Sequence, residues 1–118
     1  MQRIITHNDF DGLVSAAICS HCLNIQYIVF TGPRAVSEAR ISITAEDEVC
    51  DLPYPLECGM WFDHHEGNLE ELRYRNIDPA SVAGRFSVRN SCARVVYEYF
   101  LDHNLPPHFI AMVDEADV

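Results

Sequence analysis

The sequence of 118 residues contains no lysine, and its 8 basic residues, all arginine, are outnumbered by 18 acidic residues. The net charge of -10 argues against a broad basic surface for binding duplex DNA. Bound divalent cations would reverse the sign of the charge only locally. The sequence also lacks an apolar run of the ~20 residues that a membrane-spanning helix needs. Its first residues do not have the pattern of a signal peptide, so we expect a cytoplasmic protein.

A second metal-binding cysteine pair is also missing. The motif Cys19-Ser20-His21-Cys22 resembles one half of a zinc site, but the other three cysteines are scattered, at Cys50, Cys58 and Cys92. The motif falls inside a predicted helix, and buried free cysteines commonly act as small apolar side chains. We therefore expect reduced thiols that pack the core. The alternative is a structural zinc protein that uses Cys19, His21 and Cys22, and metal analysis would separate the two.

Short apolar runs alternate with helical patterns along the whole chain. Strands are predicted at 3–6, 26–30, 48–52 and 59–62. Helices are predicted at 12–23, from the N-cap Ser91 to about 102, and from Pro106 onward with Phe109, Ile110 and Val113 on one face. Shorter helices are possible at 36–43 and 67–75. This alternation predicts an α/β fold of one domain, with three α/β/α layers and a mainly parallel sheet.

Acidic and histidine side chains follow these predicted strands and occupy the last helix. They are His7, Asp9, Asp11, Asp51, Asp63, His64, His65 and Asp114. Ligands of parallel sheets bind outside the carboxyl ends of the strands, so we expect one shared site. Carboxylate oxygens and imidazole nitrogens at such a site suit a pair of hard divalent cations. Two cations ~3.5–4 Å apart activate water and neutralise phosphoryl charge, which predicts a dinuclear phosphohydrolase.

The spacing within the first motif supports this interpretation. His7, Asp9 and Asp11 alternate, so in an extended segment they share one side of the backbone and can face two cations. Gly12 then allows a tight turn into the helix, whose N–H groups could assist phosphate binding. An Asp-x-Asp pair alone is common in exposed loops, but four motifs at element ends are harder to dismiss. Asp117 is an alternative to Asp114 in the last motif.

In these motifs the chain resembles the DHH phosphoesterase superfamily, which includes RecJ-type exonucleases, nanoRNA phosphatases, family II pyrophosphatases and exopolyphosphatases. The resemblance spans His7 to Asp114 and implies two manganese or magnesium ions. It implies that His7, Asp9 and Asp51 bind one ion. It implies that the other is bound by Asp11, Asp51, His64 and Asp114, with Asp51 as the bridge. It further implies that His65 contacts phosphate and that Asp63 orients the cluster, so both are predicted catalytic residues and His65 is also a predicted substrate-binding residue.

The resemblance also bears on domain organisation and substrate. Family members usually carry a C-terminal substrate-binding domain, so residues 1–118 are expected to be the catalytic domain without it. The expected substrates are phosphodiesters or phosphoanhydrides in oligonucleotides, nucleotides or polyphosphate. Arg85 and Arg89 are candidate substrate-binding residues, and Phe86 between them could stack on a base. The alternative function is a non-catalytic metal- or nucleotide-binding module of the same fold.

Overall fold

A computed structural model describes residues 2–118 and contains five strands and five α-helices. The strands are β1 (Arg3–His7), β2 (Ile28–Thr31), β3 (Asp47–Cys50), β4 (Met60–Asp63) and β5 (Gly84–Phe86). The helices are α1 (Phe10–Leu23), α2 (Pro33–Ser37), α3 (Glu66–Tyr74), α4 (Cys92–Tyr99) and α5 (His108–Ala116). A short 3-10 turn, Pro79–Ser81, precedes β5.

All five strands are parallel, in the order β2-β1-β3-β4-β5. Chain order reverses between β1 and β3, because β2 lies on one side of β1 and β3 lies on the other. Such a reversal opens a crevice at the carboxyl ends of the two central strands. Residues that follow β1 and β3 are therefore placed side by side.

The two faces of the sheet form two separate cores, which confirms the predicted three-layer α/β fold. Ile4 points to the face covered by α1, α4 and α5, with Val14, Val95 and Val113 packed around it. Ile5 points to the opposite face, where its cluster is completed from α2 and α3. Alternate side chains of a strand face opposite sides, so consecutive isoleucines in β1 anchor both layers.

The structure corrects several predicted boundaries. The helix expected at 36–43 is instead α2 (Pro33–Ser37), which begins at proline because that residue suits the first helical turn. Helix α4 has Ser91 as its N-cap, as predicted, but ends at Tyr99 and not near residue 102. Ile110 is 36% exposed and does not share the buried face of Phe109 and Val113. Strand β5 was not predicted, since three residues show no usable alternation.

The predicted packing role of the cysteines is confirmed for Cys19, Cys50 and Cys92, which are fully buried. The sulfur atoms of Cys19 and Cys50 lie 3.6 Å apart without a covalent bond. Burial raises the pKa of the Cys92 thiol well above its usual value, so the neutral thiol is the stable form.

None of the helices in residues 2–118 has the length and apolar character to span a membrane.

Candidate metal centre

Three of the predicted site segments meet at the carboxyl edge of the sheet. His7 is the last residue of β1, Asp51 directly follows β3, and Asp63 is the last residue of β4. Because β1, β3 and β4 are adjacent and parallel, these positions lie at the crevice where strand order reverses. The apolar runs end there, and the side chains that follow turn toward a common centre.

Asp51 belongs to two compact groups of possible metal ligands. One group contains His7, Asp9 and Asp51, and the other contains Asp51, His64 and His65; within each, the ligand atoms lie within 4.8 Å of one another. His7 Nδ1 lies 2.9 Å from Asp9 Oδ2 and 3.4 Å from Asp51 Oδ2. The other carboxylate oxygen of Asp51 lies 3.5 Å from His64 Nε2. The two oxygens of one carboxylate thus face different groups.

The environment of Asp51 fits a cation. The residue is 3% exposed, and its Oδ1 atom is buried without a hydrogen-bond partner in the described structure. Burying a carboxylate oxygen without a partner is costly unless a cation compensates it. The backbone of Asp51 has a φ of 61°, in the left-handed region that only glycine, asparagine and aspartate adopt readily. That conformation turns the chain sharply and directs the carboxylate into the crevice.

His64 is held with one ring nitrogen toward the cluster. Its Nδ1 lies 2.9 Å from the carbonyl oxygen of Arg89, and because a carbonyl only accepts, the Nδ1–H must donate. In the neutral ring, Nε2 then carries the lone pair, and it faces Asp11 and Asp51 at 3.5 Å. A second nitrogen bonded to a backbone carbonyl is the usual arrangement of a metal-binding histidine. The Asp51 carboxylate, with smaller effects from Arg89 and Asp11, raises the pKa of His64 to about 9.

Asp11 is held by the N-terminus of α4. Its two carboxylate oxygens accept hydrogen bonds from the backbone N–H groups of Cys92, at 3.0 Å, and Ala93, at 2.8 Å. Such bonds and the helix dipole favour a negative charge. Burial and the nearby Asp51 carboxylate outweigh them, however, and raise the pKa of Asp11 to about 6. The carboxylate is therefore fixed in position beside a group of like charge, which a cation would relieve.

Asp63 positions His65. Asp63 is fully buried, and its carboxylate accepts from His65 Nδ1 at 2.7 Å, from the His65 N–H at 3.3 Å, and from Asn68 Nδ2 at 2.8 Å. The hydrogen bond that His65 donates to the Asp63 carboxylate raises the pKa of His65 and so favours its cationic form. The imidazole side chain remains 48% exposed, which leaves Nε2 free to meet a ligand.

The first motif is fixed by the tight turn from β1 into α1. Asp9 is the N-cap of α1, and its Oδ1 accepts from the Gly12 N–H at 2.8 Å, while Oδ2 faces His7. The buried Thr6 hydroxyl donates to the Gly12 carbonyl at 2.8 Å. A Cβ on Gly12 would overlap the backbone carbonyl of His7. The helix therefore begins against the strand end with no room for a side chain.

Asp114 in α5 and Asp117 just after it both pair with Arg94. Asp114, whose side chain is 64% exposed, contacts Arg94 at 2.7 Å and belongs to neither ligand group of the described residues. Asp117 accepts from Arg94 at 2.7 Å and 3.0 Å and from the Ser91 hydroxyl at 2.6 Å. The structure thus does not bring Asp114 or Asp117 into those groups, although it joins both to the start of α4.

Replacing Asp117 with asparagine is expected to lower the free energy of unfolding by about 1–2 kcal/mol, since it weakens the two charge-assisted hydrogen bonds that Oδ2 accepts from Arg94. Asp114→Asn is the matched control and should cost less than about 0.5 kcal/mol, because its partner bond is exposed. Urea denaturation of both variants gives the comparison. Equal losses would show that the two carboxylates hold α5 equally.

The two candidate substrate arginines make other contacts. The Arg89 guanidinium pairs with Glu98 at 2.9 Å, and the Arg85 guanidinium lies 5.3 Å from the centre of the Tyr99 ring. Neither guanidinium contacts the ligand groups in residues 2–118. The sequence analysis did not predict three groups that hold the site residues: Asn68, the Arg89 carbonyl and the N–H groups at the start of α4. Of these, only the start of α4 had a signal in the sequence, the N-cap Ser91.

Comparison with models of protein families and with curated protein sequences gives no match. Among solved structures, the chain is similar to a pGpG-specific phosphodiesterase, PggH, of Vibrio cholerae. The TM-score is 0.76 at 28% identity, over 99% of this chain and 36% of that chain. An uncharacterized protein of Helicobacter pylori G27 has the same fold, with a TM-score of 0.52 and 18% identity, over 94% of this chain and 39% of that one. The chain therefore spans well under half the length of each.

Proposed function

We propose that the chain is the metal-binding catalytic domain of a DHH-type phosphoesterase that hydrolyses a phosphodiester or phosphoanhydride bond. The observation that carries the proposal is Asp51, a buried carboxylate shared between two groups of ligands and lacking a partner on one oxygen. Structural similarity to a phosphodiesterase supports the same reaction class. A second, substrate-binding domain outside these residues is part of the proposal.

The proposed ligands divide around Asp51. His7 and Asp9 would hold one cation with Asp51, and Asp11 and His64 would hold the other, with Asp114 added by the family resemblance. This oxygen-rich set suits Mn²⁺ or Mg²⁺. When bound, such cations activate water at neutral pH and neutralise negative charge on a phosphoryl group.

The chain's own residues supply the remaining steps. His65, whose cationic form Asp63 favours, would donate a hydrogen bond from Nε2 to a phosphoryl oxygen and stabilise charge that develops there. Asn68 donates to the second oxygen of Asp63 and so helps to hold the carboxylate that orients the imidazole. A cationic imidazole within reach of a leaving oxygen can also give up its proton.

Hydrolysis of a 5′-phosphorylated dinucleotide tests the proposal. We expect manganese-dependent but slow release of mononucleotide by residues 1–118, because remote binding energy from a second domain is what aligns a substrate. His65→Asn should lower this rate by about 100-fold. His103→Asn, the same change at an exposed histidine, is the control. A chromatographic assay measures both, and activity that survives chelation of all divalent cations would contradict the proposal.

Cation binding should depend on pH in a direction set by His64 and Asp11. Below about pH 9 a cation must displace the proton from His64, and below about pH 6 it must also displace one from Asp11. Apparent affinity should therefore rise by up to about 10-fold per pH unit between pH 6.5 and 9, with release of a proton. Calorimetric titration with Mn²⁺ in two buffers of different ionisation enthalpy measures both quantities. An affinity independent of pH in this range would contradict the role of His64.

His64 and Asp11 also determine how the stability of the metal-free protein changes with pH. Both folded pKa values are raised, so the folded state binds these protons more tightly than the unfolded state. The contribution of His64 to stability is complete below its unfolded pKa near 6.5 and is lost as the pH rises through about 9. The contribution of Asp11 is complete below its unfolded pKa near 3.8 and is lost as the pH rises through about 6. Divalent cations should therefore raise the melting temperature more at pH 8 than at pH 5.

A further inference from the structure

Beside the candidate metal centre, three large apolar side chains are left half exposed. Phe10 is 50% exposed, Leu13 is 46% exposed, and Phe30 is 47% exposed. Phe10 and Leu13 lie one helical turn apart in α1, and Phe30 lies near the end of the edge strand β2. Together with Asn8 and Asp9 they line one cavity of about 500 Å³.

This cavity adjoins the candidate metal centre at Asp9. Asp9 lines the cavity and also belongs to the ligand group with His7 and Asp51. Because Phe10 is the next residue of the chain, a molecule whose phosphate is held at that group would have the Phe10 cavity beside it. The second cavity at the centre, of about 420 Å³, lies on the side of His7 and His65.

The charge of the surroundings decides what can occupy the Phe10 cavity. Among residues 2–118, no arginine lines either of the two cavities at the centre, and the cavity beside Phe10 is lined by one carboxylate and by no cationic side chain. A chain of further phosphates would find no positive partner there in a protein of net charge -10. An uncharged, flat ring would instead cover apolar surface and leave the amide of Asn8 to bond its edge.

We infer that Phe10, Leu13 and Phe30 form a platform that binds the base of a nucleotide whose phosphate is held at the metal centre. The inference rests on the proposed function and narrows it, because it selects nucleotides over inorganic polyphosphate or pyrophosphate. Stacking on an aromatic ring does not depend on base sequence, since every base has a π-face. The platform therefore assigns the class of substrate and leaves the choice among bases to other contacts.

Two matched ligands test the platform without turnover. Adenosine 5′-monophosphate and ribose 5-phosphate carry the same phosphate, but only the first has a base. In the presence of Mn²⁺, calorimetric titration of residues 1–118 should show at least about 10-fold tighter binding of the nucleotide. Phe10→Ala with Phe30→Ala should remove this preference and leave the affinity for ribose 5-phosphate unchanged. Tyr74→Ala, which removes an aromatic side chain that is 90% exposed in α3, is the control.

Other results of these titrations would overturn either the platform alone or the proposed function as well. Equal affinities for the two ligands in the wild type would overturn the platform and leave the proposed function standing, provided that both need Mn²⁺. Absence of cation binding would overturn the proposed function, and the platform with it. Phe10→Leu with Phe30→Leu keeps the apolar contact but removes both rings, so retention of the full preference in this variant would overturn stacking. A dimer in sedimentation that Phe30→Ala converts to a monomer would assign the face to a second copy of the chain.

Discussion

Replacing Asp51 with asparagine is expected to lower the affinity for Mn²⁺ by more than about 100-fold and to abolish binding of a second ion. Asparagine removes one negative charge from a carboxylate that both ligand groups share. Loss of a residue that only hydrogen-bonds to a metal ligand typically lowers metal affinity about 10–100-fold, so loss of a shared ligand should lower it more. Asparagine tolerates the left-handed backbone that Asp51 adopts, so the fold should be retained. Calorimetric titration with Mn²⁺ measures the affinity, and circular dichroism checks the fold.

Asp102→Asn is the matched control, because it makes the same change at an exposed aspartate near the end of α4. It should leave both Mn²⁺ affinity and hydrolysis at wild-type values. If Asp51→Asn bound two ions as tightly as the wild type, Asp51 would not be the shared ligand. The dinuclear proposal would then lose the observation on which it stands.

Replacing Gly12 with alanine is expected to lower the free energy of unfolding by about 2–4 kcal/mol and to disrupt the site. The added Cβ would overlap the His7 carbonyl, which belongs to a central strand and cannot move like a flexible side chain. Relief requires α1 to shift away from β1, and that shift separates Asp9 and Asp11 from His7. Urea denaturation with and without Mn²⁺ measures both effects, since the increase in stability from the cation should also shrink.

Gly67→Ala provides the matched control. A Cβ on Gly67 meets nothing within 4 Å, and the residue lies in the first turn of α3. This substitution should be neutral or stabilise the protein by up to about 1 kcal/mol, because alanine favours helix more than glycine does. A wild-type unfolding midpoint for Gly12→Ala would show that the close approach of helix and strand is not needed.

The sequence predicted the parts of the fold whose signals are local. The apolar pairs before His7 and Asp51 indicated strands, the acids after them marked the strand ends, and Ser91 marked a helix start. Together these signals were enough for the α/β class, because strands that alternate with helices leave few other arrangements.

The remaining features depend on contacts between distant residues. Strand β5 is defined by pairing with β4, and Gly84 in it has a φ of 103° and leaves no room for a Cβ against Trp61. The contacts of Asp114 and Arg89 with charged partners also follow from how the helices pack, which spacing along the chain does not reveal. The ligand assignments of the site therefore remain predictions, although the structure places four of the predicted ligands, together with His65, in two compact groups.

The bonds that hold Asp11 have a consequence for synthesis of the protein. The donors at Cys92 and Ala93 lie 81 and 82 positions further along the chain. A nascent chain that has left the ribosome only as far as His64 carries His7, Asp51 and His64 but not the groups that fix Asp11. Folds that depend on contacts of such large sequence separation form slowly. We therefore expect the second cation position to be completed only after α4 has been synthesised, because Asp11 has no backbone donors before then.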